Sequence, residues 1–235
     1  MKLENKVAVI TGAGRGIGEA IAVAFAREGA RVVCAARSKD EIDRVAREVD
    51  GLAIVCDVAQ ETDTKNLIDQ TLEAYGQIDI LVNNAGAVAR LAVHELPVED
   101  WDNVINVTLR GTFLCTKFAL PSMLERKSGC IINISSGAGK QGVPNRSAYV
   151  AAKHGVNGFT KTLAAEYLTK GIRPHVICPG PTVSRMRSEG FPDEDPRTLI
   201  QAEDIADAAV FLAAQEHTAY TMEVVVNPGQ VIKKI

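Results

Sequence analysis

The sequence predicts an α/β fold: a doubly wound, seven-stranded parallel sheet with helices on both faces. Two observations carry this prediction. Short β-branched runs alternate with helical patterns along the whole chain, and several runs are apolar at every position, as in strands that helices cover on both faces. A chain of 235 residues suffices for one such domain, residues 1–235, and no linker rich in proline, glycine or serine divides it.

Each element follows from these patterns. Strands are predicted, in chain order, at Val7–Ile10, Arg31–Ala35, Ala53–Cys56, Ile80–Val82, Cys130–Ile134, Val176–Cys178 and Val224–Val226. Helices are predicted at residues 17–28, 39–49, 61–75, 101–126, 148–170 and 202–214, and three of them should stop at Gly29, Gly76 and Gly171. Parallel strands joined by right-handed crossovers bind ligands at their carboxyl ends, near the point where the strand order reverses.

Charge and composition argue against several classes of function. The formal net charge is -3, so nothing favours nucleic acid or an anionic membrane as a partner. No apolar run approaches the roughly 18 residues of a membrane span, and the first strand starts too soon for a signal peptide. We therefore expect a cytoplasmic protein. The five cysteines show no C-x-x-C pairing and are expected to be reduced core residues, and the four histidines lack metal-ligand spacing, so no metal site is expected.

A glycine-rich turn, residues 11–18, joins the first strand to the first helix. Glycines let backbone N–H groups approach a pyrophosphate at a helix N-terminus, although ordinary turns use glycine as well. The position between a strand and an amphipathic helix favours a dinucleotide site. The residues expected to line it are Gly12, Arg15, Gly16, Ile17 and Gly18.

The end of the second strand bears on the choice of cofactor. An NAD site would place a carboxylate here to accept from the ribose 2′-hydroxyl, but Ala36 has no acceptor and Arg37 offers a donor fork suited to a 2′-phosphate. Arg15 could close on the same phosphate, while Asp40 and Glu41 fit better as first-turn acids of the next helix. NADP(H) is therefore preferred, and NAD(H) is the alternative cofactor. A second alternative is that Arg15 and Arg37 are ordinary solvated surface residues.

Polar residues also close the third and fourth strands. Asp57-Val58 follows the third, and the fourth ends in Asn83-Asn84-Ala85-Gly86. Such residues often form only Asx turns, but several at one edge of a sheet suggest a binding surface. The candidates for cofactor contact here are Asp57, Val58, Asn83, Ala85 and Gly86.

The reacting groups are sought on the long helix near residues 148–170. Tyr149 and Lys153 are four residues apart and share a helix face, so the lysine ammonium is expected to favour the phenolate and lower the tyrosine pKa. The fifth strand ends in Ser135-Ser136, and a hydroxyl there could hold a substrate oxygen beside the phenol. A pair of this spacing, or a strand-end serine, can also be purely structural.

Taken together, these motifs resemble the short-chain dehydrogenase/reductase family along nearly the whole chain, which implies a Rossmann-like domain. The matching segments are Thr11-Gly12-x-x-x-Gly16-x-Gly18, Asn83-Asn84-Ala85-Gly86, Asn106-Val107, Ser136, Tyr149-x-x-x-Lys153 and Pro179-Gly180. The resemblance implies that Tyr149 exchanges the proton with the substrate oxygen, Lys153 binds the nicotinamide ribose and Ser136 orients the oxygen. It also implies a water-binding role for Asn106 in a proton relay and nicotinamide contacts from Pro179, Gly180 and Ser184.

The implied reaction interconverts a carbonyl and a secondary alcohol, with NAD(P) as hydride carrier. The glycine-rich turn, the two arginines and the overall length resemble the 3-oxoacyl-acyl-carrier-protein reductases of the family, so an acyl thioester and its carrier protein are the first candidates for substrate and partner. Arg126, Lys127 and Lys170 could face an acidic carrier, or could be ordinary helix-end cations. A dehydrogenase of a sugar, steroid-like or other small alcohol is the alternative, and a non-catalytic dinucleotide sensor is a remote one.

The resemblance also implies a homotetramer, or a homodimer, that packs the Trp101 and Tyr149 helices between subunits.

Three segments depart from the family pattern. Pro174-His175 is expected to mark the start of a strand or an edge position. Asn227-Pro228-Gly229-Gln230 leaves subunit contacts at that end uncertain. The segment at about 181–200 is short and polar, which predicts an open or mobile cover over the substrate.

Overall fold

Seven parallel strands form one sheet in the order β3-β2-β1-β4-β5-β6-β7, in a computed structural model that describes residues 1–215 and 219–229. The strands are β1 (Val7–Thr11), β2 (Arg31–Ala36), β3 (Leu52–Val55), β4 (Ile80–Asn83), β5 (Gly129–Ile134), β6 (Ile172–Pro179) and β7 (Glu223–Val226). The predicted fold class is confirmed, and all seven predicted strands are present. The largest difference is at β6, which begins at Ile172 rather than at Val176.

Helices join successive strands and cover both faces of the sheet. They are α1 (Gly16–Arg27), α2 (Lys39–Glu48), α3 (Glu61–Tyr75), α4 (Val98–Ile105), α5 (Gly111–Glu125), α6 (Ser147–Tyr167), α7 (Arg185–Gly190) and α8 (Ala202–Ala213). Within residues 1–215 and 219–229, no helix has the length and apolar character needed to cross a membrane.

The alternation of side chains along β1 divides the core into two layers. Ala8 and Ile10 belong to the layer that includes Phe25 of α1, whereas Val9 belongs to the opposite layer. Every residue of β1 is buried, because both faces of the strand are covered. Burial also accounts for the cysteines, which are all buried free thiols, as predicted: Cys34, Cys56, Cys115, Cys130 and Cys178.

The strand order reverses between β1 and β4. The chain builds outward from β1 to β3, returns to the other side of β1 with β4, and continues outward to β7. The carboxyl ends of β1 and β4 therefore flank the crevice where a sheet of this kind binds its ligand. The glycine-rich turn follows β1, and Asn84 follows β4.

The predicted helix at 101–126 is longer and less regular than expected. It begins at Val98, and a π-helical segment, Asn106–Arg110, separates α4 from α5. The N–H of Gly111 donates to the carbonyl of Asn106, five residues earlier, instead of the usual four. Such a bulge adds one residue without ending the helix, so the prediction of one continuous helix did not reveal it.

Pro174 lies inside β6, opposite Ile131 of β5, and does not start the strand. It does occupy a local edge, because β7 pairs with β6 only from Val176 to Pro179. The Tyr220 hydroxyl donates to the carbonyl of Pro174 at this edge. The missing proline N–H therefore removes no bond to β7.

The segment at about 181–200 is more ordered than predicted. It contains α7 and a 3₁₀ turn at Pro196–Thr198, and Thr182 pairs with Ile200 across its base. The sequence analysis predicted no helix here, because capping bonds and ion pairs stabilise short helices that hydrophobic periodicity does not reveal. That the segment forms an open or mobile cover stays a prediction.

The departure at 227–230 is described only in part. A Cβ on Gly180 would lie 3.2 Å from Cδ of Pro228, so this segment packs against the Pro179-Gly180 loop. Gln230 lies outside the described residues.

Candidate active site

The glycine-rich turn is shaped to receive a pyrophosphate. Gly12 and Gly16 have positive φ angles of 66° and 58°, which favour glycine. A Cβ on Gly18 would lie 2.2 Å from the carbonyl oxygen of Gly12, so α1 can pack this closely only with glycine there. Helix α1 begins at Gly16, and its N-cap residue Arg15 makes no side-chain capping bond. The first N–H groups of α1 are thus free of a side-chain cap, as a phosphate site requires.

Two residues that the sequence analysis did not select hold this turn against β4. The Thr11 hydroxyl accepts from the N–H groups of Asn84 at 3.0 Å and Ala85 at 3.1 Å. The Asn84 amide donates to the carbonyls of Thr11 at 2.9 Å and Gly12 at 3.2 Å. Both residues belong to the quoted motifs, but only their hydrogen bonds show that they position the turn.

The side chain of Asn83 faces inward. It is 3% exposed, and its amide donates to Thr116 Oγ1 at 3.1 Å and to Asn133 Oδ1 at 2.8 Å. Asn133 in turn donates to Thr160 Oγ1 at 2.9 Å. These bonds connect β4 and β5 to α5 and α6. Because the Asn83 side chain points into the core, the cofactor contact predicted for this residue would have to come from its backbone.

The two arginines predicted to clamp a 2′-phosphate differ in their surroundings. Arg15 pairs with Glu41, with a distance of 2.9 Å from Nη1 to Oε1. Arg37 is exposed just after β2, and its guanidinium has no hydrogen-bond or ion-pair partner among residues 1–215 and 219–229. Glu41 lies in the first turn of α2, as predicted. Among the described residues, the guanidinium of Arg15 is already paired, and that of Arg37 is available to bind a phosphate.

Asp57 and Val58 form the edge of the crevice after β3. Asp57 Oδ1 accepts from the N–H of Ala59 at 3.0 Å, which is an Asx turn. Val58 is buried, and a Cβ on Gly111 would lie 2.8 Å from its Cγ2. The backbone here is thus well fixed, and the Asp57 carboxylate keeps a second oxygen for a ligand.

Tyr149 and Lys153 lie in the first turns of α6. The ammonium of Lys153 is 5.7 Å from the centre of the Tyr149 ring, which confirms that the two share a helix face. Lys153 is only 4% exposed and donates to the carbonyl of Ile134 at 2.7 Å. A Cβ on Gly86 would lie 3.7 Å from Lys153 Nζ, so the ammonium also borders the loop after β4.

Burial is the largest influence on the pKa of both Tyr149 and Lys153. It lowers the pKa of Lys153 to about 8. It raises the pKa of Tyr149 above its ordinary value, against the opposing effects of a hydrogen bond with Ser136 and the charges of Arg146 and Arg90. In the chain alone, desolvation outweighs the nearby charges, and those that lower the Tyr149 pKa come from arginines. The lowering predicted from Lys153 together with an oxidised nicotinamide stays a prediction.

The two serines after β5 have different partners. The hydroxyl of Ser135 donates to the carbonyl of Lys153 at 3.2 Å and so faces α6. Ser136 Oγ accepts from the N–H of Ala138 at 3.1 Å, and Ser136 is the serine whose hydroxyl influences Tyr149. This geometry favours Ser136 over Ser135 as the residue that holds a substrate oxygen.

Asn106 is the first residue of the π-helical segment, which packs against α6. Its side chain makes no hydrogen bond to any described residue. Thr108 in the same segment accepts from the N–H of Ala87 at 3.1 Å, which ties the segment to the loop after β4. The water-binding role of Asn106 stays a prediction.

One cavity of about 380 Å³ brings several predicted residues together. Ser136 and Tyr149 line it together with the following predicted cofactor contacts: Ile17, Pro179, Gly180 and Ser184. Ser184 also caps α7, since its hydroxyl accepts from the N–H of Arg187 at 3.1 Å.

A family model described as short chain dehydrogenase matches residues 6–195. The chain belongs to the short-chain dehydrogenase family. It is 36% identical to the 3-oxoacyl-[acyl-carrier-protein] reductase FabG of Thermotoga maritima, over 99% of this chain and 100% of the relative. It is 40% identical to the 3-oxoacyl-[acyl-carrier-protein] reductase of Synechocystis sp., over 93% of each chain. A crystal structure described as ribose-5-phosphate isomerase from Brucella melitensis 16M shares 36% identity, with a TM-score of 0.92 over 98% of this chain and 94% of that one.

As a short-chain dehydrogenase, the protein is an oxidoreductase that acts on CH–OH groups, and the family implies a nicotinamide dinucleotide cofactor. The turn at residues 12–18 fits such a cofactor, because it combines close glycine packing with an uncapped helix N-terminus.

The cavity also holds residues that the sequence analysis missed. Arg90 and Arg146 line it, and both act on the pKa of Tyr149. Neither belongs to a motif of the family pattern, and no sequence signal marks a lone arginine as part of a site. Their placement comes from a parallel backbone bridge between Leu91 and Arg146.

Burial of the Lys153 ammonium gives a testable dependence of stability on pH. The folded-state pKa of about 8 lies below the ordinary value of 10.5, so between these pH values the unfolded chain binds more protons and the folded state gains stability as pH rises. At pH 7 the charge costs about 3 kcal/mol. We expect Lys153→Met to raise the free energy of unfolding at pH 7 by about 2 kcal/mol, allowing about 1 kcal/mol for the lost hydrogen bond.

Urea unfolding at a series of pH values checks this prediction. The advantage of Lys153→Met should shrink above pH 8 and disappear near pH 10, and near pH 11 the variant should be less stable than the wild type by about 1 kcal/mol, the value of the lost hydrogen bond. Lys161→Met, on the exposed side of the same helix, is the matched control and should show no such trend. A variant that is less stable at pH 7, or a difference that does not vary with pH, would contradict the assigned burial cost.

Proposed function

We propose that the protein is an NADP(H)-dependent oxidoreductase that interconverts a carbonyl and a secondary alcohol, with Tyr149 as proton donor and acceptor. One observation carries this proposal: Ser136 and Tyr149 line the same cavity as Ile17 of the glycine-rich turn and Gly180. A proton-transfer group and the dinucleotide crevice therefore open onto one space.

The residues divide the chemistry of carbonyl reduction between them. The cofactor, when bound, supplies a hydride to the carbonyl carbon. The Tyr149 hydroxyl gives its proton to the carbonyl oxygen, and Ser136 donates a hydrogen bond to that oxygen and orients it. The raised pKa of Tyr149 keeps the phenol protonated before the reaction. In the direction of oxidation, the phenolate takes the proton from the alcohol.

Lys153 and Asn106 are proposed to restore the proton on Tyr149. With a pKa of about 8, Lys153 can gain or lose a proton near neutral pH. A water held by Asn106, at the start of the π-helical segment, would connect the ammonium to solvent. Lys153 is also proposed to hold the nicotinamide ribose, as the family resemblance implies.

The remaining cofactor contacts are proposed in two groups. The adenosine and pyrophosphate half would meet the turn and the strand ends, through Gly12, Arg15, Gly16, Ile17, Gly18, Arg37, Asp57, Val58, Asn83, Ala85 and Gly86. The nicotinamide half would meet Pro179, Gly180 and Ser184. Preference for NADP(H) over NAD(H) is supported by Ala36, which lacks an acceptor, and by Arg37, which has no partner in the described part of the chain.

Arg37→Asp should reverse the preference for the cofactor. The arginine offers a phosphate-binding fork, whereas aspartate repels the phosphate and can accept from a ribose hydroxyl. We expect the ratio of kcat/KM with NADPH to that with NADH to fall by roughly 100-fold, the effect of one lost charge-assisted pair plus one repulsive contact. Arg47→Asp, an exposed charge reversal on α2, is the control. An unchanged ratio in Arg37→Asp would refute the phosphate-binding role.

The substrate proposal starts from the relatives. Two of them are named 3-oxoacyl-[acyl-carrier-protein] reductases, which supports a 3-oxoacyl thioester as substrate and an acyl carrier protein as partner. Arg126, one of the cations considered for a carrier, pairs with Asp79 at 2.7 Å and is partly buried, which leaves Lys127 and Lys170 as the more available ones. A small ketone that carries a negative charge is the second candidate, and the arginines that line the cavity favour it.

A substrate panel tests the proposed function. Oxidation of NADPH and of NADH is measured with acetoacetyl thioesters and with a series of small ketones. Turnover of a carbonyl, faster with NADPH, is the expected result. Tight NADPH binding without turnover of any carbonyl would instead support a dinucleotide sensor.

We also propose that the protein acts in the cytoplasm as a homotetramer. The side chains of Trp101 on α4 and Phe113 on α5 are exposed, and both helices lie beside α6 or the π-helical segment. An apolar surface of this kind suits the subunit contact that the family resemblance implies.

A further inference from the structure

Three arginines line the cavity that contains Tyr149: Arg90, Arg146 and Arg187. They come from different parts of the chain, namely the loop after β4, the residue before α6, and α7. The bridge between Leu91 and Arg146 holds the first two segments side by side. Three cations in one cavity require a source of negative charge.

In the part of the chain that the structure describes, only Arg187 of the three forms an ion pair with a carboxylate. Both oxygens of Glu194 accept from the guanidinium of Arg187, each at 2.6 Å. The guanidinium of Arg187 also lies 4.0 Å from the centre of the Phe191 ring. Arg187 is thus paired within the cover of the cavity and is fixed in place.

Arg146 has no such partner. Its guanidinium lies 5.0 Å from the centre of the Phe191 ring, and it makes no hydrogen bond or ion pair with any residue in 1–215 or 219–229. It is half-buried, and burial together with the charges of Arg90 and Arg187 lowers its pKa. A guanidinium in this position is stabilised by an anion that enters the cavity.

Arg90 is partly engaged. Its Nη2 donates to the carbonyl of Met186 in α7, and a Cβ on Gly190 would lie 2.4 Å from its Nε. Arg90 Nε is buried and has no partner. Arg90 therefore connects the loop after β4 to α7. Its positive charge acts to lower the pKa of Arg146 and the pKa of Tyr149.

We propose that Arg146, supported by Arg90, binds an anionic group of the substrate, a carboxylate or a phosphate, while Tyr149 serves its carbonyl. Of the two substrate candidates above, this favours the small ketone over the acyl thioester, as an oxo acid or a phosphorylated ketone. This inference rests on the proposed function, since it adds a specificity contact to the same site. An uncharged carbonyl compound would leave the Arg146 guanidinium without an anion.

Matched pairs of substrates test the proposal. Acetoacetate and levulinate are compared with their methyl esters, and dihydroxyacetone phosphate is compared with dihydroxyacetone. We expect kcat/KM to be roughly 10- to 100-fold higher for one class of anion than for its neutral partner, as for a charge-assisted hydrogen bond. The acids and the phosphate ester distinguish the two kinds of anion. Equal rates for every charged and neutral pair would overturn the proposal.

The variant Arg146→Gln tests whether Arg146 is the residue responsible for the preference for anionic substrates. The variant should lose the 10- to 100-fold preference for the anion while it still reduces the neutral partner. Because both substrates are measured on the same variant, an effect through the Tyr149 pKa cancels in the ratio. Arg185→Gln, an exposed arginine of α7 outside the cavity, should keep the preference. Retention of the preference in Arg146→Gln would overturn the proposal.

A binding measurement separates this inference from the proposed function. If the protein turns over no carbonyl, the proposed function fails, and equilibrium dialysis with labelled acetoacetate and labelled dihydroxyacetone phosphate still tests the arginines. Binding of either anion that is lost in Arg146→Gln supports the proposal. Binding that is absent, or equal in both proteins, overturns it.

Discussion

Replacement of Tyr149 by phenylalanine is expected to lower kcat by about three orders of magnitude, the usual contribution of a positioned general acid. The substitution removes only the hydroxyl, so the ring still packs against Lys153 and the affinity for NADPH should change little. Burial raises the pKa of the Tyr149 hydroxyl, which keeps it protonated for reduction. Steady-state kinetics and a titration of NADPH binding on the same preparation measure both quantities.

Tyr167→Phe is the matched control for this experiment. Tyr167 is the last residue of the same helix and lies outside the cavity, so its replacement should leave kcat unchanged. Full turnover by Tyr149→Phe would refute the assignment of the proton donor. A similar loss in both variants would show that the effect comes from the helix rather than from the hydroxyl.

Gly18→Ala should weaken both cofactor binding and folding. Alanine favours a helix over glycine by about 1 kcal/mol, but here its Cβ would lie 2.2 Å from the carbonyl oxygen of Gly12 and 2.5 Å from the amide nitrogen of Asn84. Overpacking costs typically about 1–3 kcal/mol, so the steric effect outweighs the helix propensity. The turn must shift, and we expect NADPH affinity to fall at least about 10-fold.

Gly158→Ala is the corresponding control. Gly158 is exposed in the middle of α6, and a Cβ there would meet no atom within 4 Å. The alanine should raise the free energy of unfolding by about 0.4–1 kcal/mol and leave cofactor affinity unchanged. Urea unfolding and fluorescence titration with NADPH compare the two. Equal behaviour of the two alanine variants would contradict the close packing assigned to the turn.

The sheet could be predicted from the sequence because its signals are local. Apolar runs such as the one in β1 follow directly from burial on both faces, and the predicted helix at 61–75 matches α3 in both bounds. The π-helical segment and α7 were not predicted. The bulge adds one residue without ending the helix, and a short helix is stabilised by bonds such as that between Ser184 and Arg187, which the sequence does not reveal.

The site residues that were predicted lie in local motifs, and those that were missed do not. Tyr149, Lys153 and Ser136 occur in spaced motifs, and the structure places them near one another. In the chain alone, burial raises the pKa of Tyr149, and the sequence shows the neighbouring lysine but not this burial. Arg90 and Arg146 are far apart in the chain and meet only through the tertiary fold, so nothing in the sequence connected them.

Transfer of deuterium tests the central claim most directly. NADPH that carries deuterium at both C4 positions of its nicotinamide is incubated with the protein and with a ketone that it reduces, and the alcohol is analysed by mass spectrometry and NMR. We predict one deuterium on the carbinol carbon in the wild-type protein, and almost no product from Tyr149→Phe. An alcohol without deuterium, or tight NADPH binding with no alcohol formed from any carbonyl, would contradict the account.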